Sequence, residues 1–200
     1  MALSGLKLLQ ELRNAVARAV ETSTRALHII GYEHGEVHKG NFFTVSYDAE
    51  LGDGETMEIL IVTPDTTIWP HITIAASTAL KGRVDLYEDA VQGYVAANAL
   101  TPQNRQRNYE TSKLSGLLIC HTPGHNSSSS SSGVEIEERI ARRAWGATGI
   151  GNNPGFGGEG RAAQEWVLKQ NTTYLLRITS EAATNVAWME IDWYEHANKA

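Results

Sequence analysis

Seven histidines, one cysteine and 23 acidic residues are the groups through which this 200-residue chain could do acid–base, nucleophilic or metal chemistry. His34 and His38 are four apart, the separation that sets two imidazoles on one helical face, and His121 and His125 repeat it. Gly31, Gly35 and Gly40 interrupt the first segment and Pro123-Gly124 the second. Neither pair is therefore expected on a helix, and neither is expected to hold a metal. Cys120 lies in the apolar run LLICH, where it reads as a small buried side chain. A single cysteine also excludes an intrachain disulfide framework. Glu137 with Glu138, and Asp192 with Glu195, are carboxylate pairs of the kind a glycosidase uses, but neighbouring acids on strand surfaces are more often solvated. No GxSxG or HExxH occurs. Residues 146–160, GATGIGNNPGFGGEG, hold seven glycines, yet no Gly-Lys-Ser/Thr follows and no clear helix opens, so a phosphate loop is not expected. The chain reads as a protein that is not an enzyme and takes no cofactor.

The elements that would position these groups are mostly strands. Residues 173–180 and 186–194 are rich in β-branched and aromatic residues and are joined by the short polar segment EAATN, which predicts an antiparallel hairpin. Tyr174, Leu176 and Ile178 alternate on one face of the first, and Ala187, Met189, Ile191 and Trp193 on one face of the second. Arg177, Thr179, Glu190 and Asp192 take the opposite, wet faces, while both Trp188 and Trp193 are expected in the core. Residues 41–49, 56–63, 69–77, 82–89 and 114–122 add further strands at spacings of about ten residues, the pattern of a sandwich or barrel. Residues 134–145 fit either a helix or a strand, and the β-rich surroundings favour the strand. The six-serine run can bury almost nothing and is expected at the periphery. In the polar stretch LTPQNRQRNYETS, Arg105 and Arg107 are candidate subunit contacts, able to grip carboxylates of a neighbouring chain, against the plainer reading of a solvated loop.

Residues 3–27 are different. They are strong helix formers without proline, and Leu9, Leu12, Val16, Ala19, Ser23 and Ala26 recur at alternating gaps of three and four, a heptad seam. A second stripe through Leu6 and Val20 broadens that face. The helix either packs on its own domain or docks on another protein, and its place ahead of a glycine-rich segment favours docking. The expected organisation is an N-terminal helical arm over residues 1–30, a linker over 31–40 and a β-domain over 41–200.

A net charge of −6 argues against a protein that coats nucleic acid. No apolar run reaches membrane-spanning length, and no signal-peptide pattern opens the chain, so a soluble protein made in a cytoplasm is expected. Asn171-Thr-Thr173 fits a glycosylation sequon but carries little weight without other signs of secretion.

The segments GEVHKGNFFTVSY, ILIVTPD, LYEDA, ALTPQNRQRN and EWVLKQNTTYLLRITSEAATNVAWMEIDWYEH resemble a group of tailed-bacteriophage virion proteins, the capsid decoration or cement proteins. The resemblance runs from about Glu36 to His196. It implies an all-β, jelly-roll-like antiparallel β-sandwich, a homotrimer on the outer capsid surface that clamps adjacent copies of the major capsid protein. Leu6, Leu9, Leu12, Val16 and Val20 would then form the contact stripe of the arm, worth on the order of 5–10 kcal/mol before ordering costs. Neither nucleic acid nor membrane is an expected partner. The alternative reading is a carbohydrate- or receptor-binding module of a phage particle, with Trp69, Trp145, Trp188 or Tyr194 as a stacking platform.

Overall fold

The computed structural model describes residues 32–108, 114–122, 138–145 and 165–197. By its contacts the chain divides into two units, Met1–Gly35 and Glu36–Ala200. Only residues 32–35 of the first are described, so the expected arm, with Leu6, Leu9, Leu12, Val16 and Val20, lies outside the described residues. The serine run and residues 146–160 lie outside them too.

Part of the stretch read as a linker is helical: α1 spans Tyr32–His38. Gly40, counted above as a breaker, is its terminator. With φ at +71° it turns the chain left-handed, a conformation that costs glycine little. Gly40 N then donates to Val37 O and Asn41 N to Glu36 O, the two bonds of a Schellman cap. Glu36 is buried and accepts from Lys39 Nζ and Asn41 Nδ2, both at 2.7 Å, fixing the exit into the first strand.

Among the described residues ten strands follow: β1 (Phe42–Leu51), β2 (Thr56–Val62), β3 (Ile68–Thr78), β4 (Gly82–Glu88), β5 (Gln103–Asn104), β6 (Leu118–His121), β7 (Glu138–Trp145), β8 (Trp166–Val167), β9 (Thr173–Ser180) and β10 (Asn185–Ala197). They form two five-stranded sheets, β5-β1-β10-β3-β8 (sheet 1) and β6-β2-β9-β4-β7 (sheet 2). Every ladder is antiparallel. Four of the ladders are nested in sequence, β1 on β10, β2 on β9, β3 on β8 and β4 on β7, and the ladders β10–β3 and β9–β4 join them side by side.

That nesting corrects the expected hairpin. β9 and β10 are consecutive but do not pair: β9 lies between β2 and β4, and β10 between β1 and β3. The connection crosses from sheet to sheet because its ends are tied to the loop after β3. Asn185 Nδ2 donates to Lys81 O and to Ser180 Oγ, and Asn185 Oδ1 accepts from Leu80 N. At the start of β4, Gly82 leaves room for this join: a Cβ there would stand 3.0 Å from Thr179 O and from Thr78 Oγ1.

The core is the apolar row of each strand facing the other sheet. It takes Phe43, Val45, Ile72, Ile74, Met189, Ile191 and Trp193 from sheet 1 and Met57, Ile59, Ile61, Val84, Leu86, Leu176 and Ile178 from sheet 2. Phe43 stacks on Trp193 at 5.7 Å. The alternation read for β9 and β10 therefore holds, and the architecture is an antiparallel β-sandwich. Trp188 departs from expectation. One residue out of phase with Met189, it stands on the outer face and is 36% exposed. Cys120 is buried as expected, in a small cluster with Leu60, Ala90 and Leu175, and burial pushes its thiol pKa up.

Candidate functional site

Polar groups cluster on the outward faces of both sheets. On sheet 2 the register sets three rungs across β2, β9 and β4: Thr56–Thr179–Arg83, Glu58–Arg177–Asp85 and Leu60–Leu175–Tyr87. The third rung is closed over by Ala90 and Tyr94 from the β4–β5 connection. The first two stay open and line a trough of 470 Å³ with Tyr87, Gly54 and Thr122.

The middle rung continues into β7 as an alternation of sign. Arg177 Nε donates to Glu58 Oε1 at 2.5 Å, and Arg142 grips Asp85 with two bonds, at 2.5 and 3.0 Å. Arg83 Nε and Arg139 Nε approach the same carboxylate at 3.6 and 3.8 Å, so three guanidiniums surround Asp85, which is 1% exposed. Arg83 also donates to Glu181, whose carboxyl is held below its usual range by bonds from Lys81 and Arg83. Arg177 lies over the Tyr87 ring at 5.2 Å.

The outer face of sheet 1 carries rings. His71 stacks on Tyr194 at 4.7 Å and meets His196 at 4.6 Å, while Phe42 packs on Tyr194 at 6.4 Å. The hydrogen bonds order the protons. His196 Nδ1 lies 2.8 Å from Ala197 O, which can only accept, so that nitrogen carries the proton. His196 Nε2 then accepts from His71 Nε2 at 2.9 Å, and His71 Nδ1 lies 3.1 Å from the Tyr194 hydroxyl. The same Nδ1 lies 3.2 Å from Glu165 Oε1.

Arg105 lies beside these rings, 5.0 Å above Phe42, and donates to Asp192 Oδ2 at 3.0 Å. The partner found for it is thus in its own chain. Arg107 is exposed and donates to Gln103 Oε1 at 3.4 Å. Asp192 and Glu195, read as a carboxylate pair, occupy opposite faces of β10. Glu195 accepts from Ser115 Oγ, Gly116 N and Trp193 Nε1, which pins the segment before β6. Glu137 and His125 lie outside the described residues, and His121 stacks on Tyr47 at 4.5 Å. Among the described residues, no group of three or more His, Cys, Asp or Glu is placed to hold a metal.

Sequence reasoning named Arg177 only as a wet-face residue and passed over Glu58, Arg83, Asp85 and Tyr87. The available signal was a charge at an outward position in each of three strands; which strands lie side by side was not readable. Compared with known proteins, the chain matches no family model and no curated protein.

Proposed function

We propose that this chain is a structural virion protein, a capsid decoration or cement protein that binds the outer surface of a phage head and stabilises contacts between major capsid protein subunits. The observation that carries the reading is the strand order. The runs β1-β10-β3-β8 and β2-β9-β4-β7 are what results when one antiparallel ribbon of four nested pairs folds over on itself. That order supports the jelly-roll reading which the resemblance over residues 36–196 implies. The body unit begins at Glu36, where the resemblance also begins. On the outer face of β10, Val186 (50% exposed) and Trp188 offer apolar surface next to polar strand residues, as suits adhesion to protein.

The mechanism is mass action. A protein that binds the assembled shell and not its dissociated subunits stabilises the shell by about 2.7 kcal/mol per site when present at 100 times its Kd. A homotrimer bridging several capsid subunits would multiply weak contacts through avidity. In this reading the arm anchors the protein to the capsid through Leu6, Leu9, Leu12, Val16 and Val20. The alternative platform of Trp69, Trp145, Trp188 and Tyr194 is weakened, because Tyr194 is 5% exposed and holds His71.

Cosedimentation with phage shells lacking this protein is the test. The full chain should pellet with shells, deletion of residues 1–27 should abolish or sharply weaken pelleting, and light scattering should give a trimer mass. Failure of the full chain to pellet with shells lacking this protein would overturn the reading.

A further inference from the structure

The trough on sheet 2 has no part in the adhesion just described, and its construction points to a ligand. Among the described residues, the outward-facing charges on the strands of this sheet are Arg83, Arg139, Arg142 and Arg177 against Glu58 and Asp85. At the rim Lys81 and Glu181 cancel. A surplus of two positive charges thus sits on this sheet face in a chain whose net charge is −6; Arg139 and Arg142 supply it from β7 beside the trough, whose own Arg83 and Arg177 are matched by Glu58 and Asp85. The surplus is also fixed in place, since the guanidiniums converge on the buried Asp85. Preorganised cations along the edge of a concave polar surface favour an anionic group that lies across it.

Shape and lining narrow the class. Among the described residues no aliphatic side chain lines the trough; Thr56, Thr122 and Thr179 contribute hydroxyls, Glu58 an acceptor, and Tyr87 an aromatic edge. The backbone groups of β2, β9 and β4 in the floor are committed to the ladders on both sides, so a peptide cannot be taken up here by strand addition. A peptide would find no apolar pocket for an anchor either. A hydroxyl-rich ligand bearing a carboxylate finds both partners it needs: hydroxyls and acceptors for its alcohols, guanidiniums for its acid. We propose that the outer face of sheet 2 binds an acidic saccharide, of uronate or sialate type, with Arg83 and Arg177 facing its carboxylate and Thr56, Thr179 and Glu58 its hydroxyls. A volume of 470 Å³ accommodates a short oligosaccharide segment.

The test titrates the full chain with trigalacturonate, neutral galactotriose and hexaglutamate, by calorimetry and by amide and arginine side-chain NMR shifts at low and physiological salt. Trigalacturonate should bind best, shift Thr179 and the arginine Nε–H signals, and weaken as salt rises. Arg83→Gln should cost about tenfold in affinity with the fold retained by NMR. Lys81→Gln, which removes the other cation on Glu181 but lies outside the trough, should change affinity by less than about twofold. Equal binding of galactotriose, tighter binding of hexaglutamate, an unaffected Arg83→Gln, or no binding of trigalacturonate would each overturn the proposal. Shell binding is measured separately, so loss of one reading leaves the other standing.

Discussion

On the outside of sheet 1, Phe42, His71, Tyr194 and His196 stack at 4.6 to 6.4 Å and pass hydrogen bonds along a chain of rings. On the outside of sheet 2, Glu58, Arg177, Asp85 and Arg142 alternate in sign across four strands. Both sheets give the same kind of residue to the shared core, so the contrast is confined to the faces turned away from it. Rings bring area and shape, and lose little when one hydroxyl is removed. A charge ladder is more brittle, because deleting one carboxylate leaves its guanidiniums repelling each other.

The largest difference should appear at Asp85. Asp85→Ala removes the carboxylate that three guanidiniums share, and is expected to lower unfolding stability in urea by about 2–3 kcal/mol. The partial exposure of Arg139 and Arg142 keeps the loss below that of a fully buried ion pair. Raising salt should restore part of it, which a simple packing defect would not show.

A smaller effect should come from acid at the inner edge of sheet 2. Burial would push the Glu88 carboxyl up, but bonds from Lys169 Nζ and the Tyr174 hydroxyl outweigh it, and the net direction is below the ordinary value of 4.5. Burial and the same carboxylate push the Tyr174 phenol up. With the folded-state Glu88 value depressed, its contribution is fully present above pH 4.5 and is lost as pH falls through the folded value. Glu88→Gln should therefore cost about 1 kcal/mol at neutral pH and flatten that acid limb in pH-dependent denaturation. The smallest effect belongs to the rings: Tyr194→Phe keeps the stacking, gives up the bond to His71, and should cost under about 1 kcal/mol by thermal melting. A loss as large as that at Asp85 would erase the contrast between the faces.

Much of this architecture could be read from residue alternation, because a strand with one dry face must place its apolar residues two apart. Leu176 and Ile178, or Met189 and Ile191, admit little else. Pairing was not readable in the same way. The EAATN segment has hairpin length, but length does not say whether a turn closes a ladder or crosses between layers. Asn185 and Lys81 settle that from 104 positions apart. Gly40 could be read two ways, as a breaker inside a helix or as its left-handed stop, and the difference lay in where the helix began. Within its own chain Arg105 donates to Asp192, 87 residues on, a pairing that no local pattern in the sequence announces. The candidate trough was hidden for the same reason, its residues coming from strands that are distant in sequence.

The nesting of the ladders has a consequence for biogenesis. β10 is the last of the described strands, yet it sits between β1 and β3 and holds both along most of their lengths. A nascent chain still inside the ribosome up to residue 184 can assemble no central part of sheet 1, and its apolar β1 and β3 must wait unpaired. Sheet 1 therefore closes only once β10 has emerged, slowed by the long loop between β1 and β10, and the waiting strands are natural clients for a chaperone.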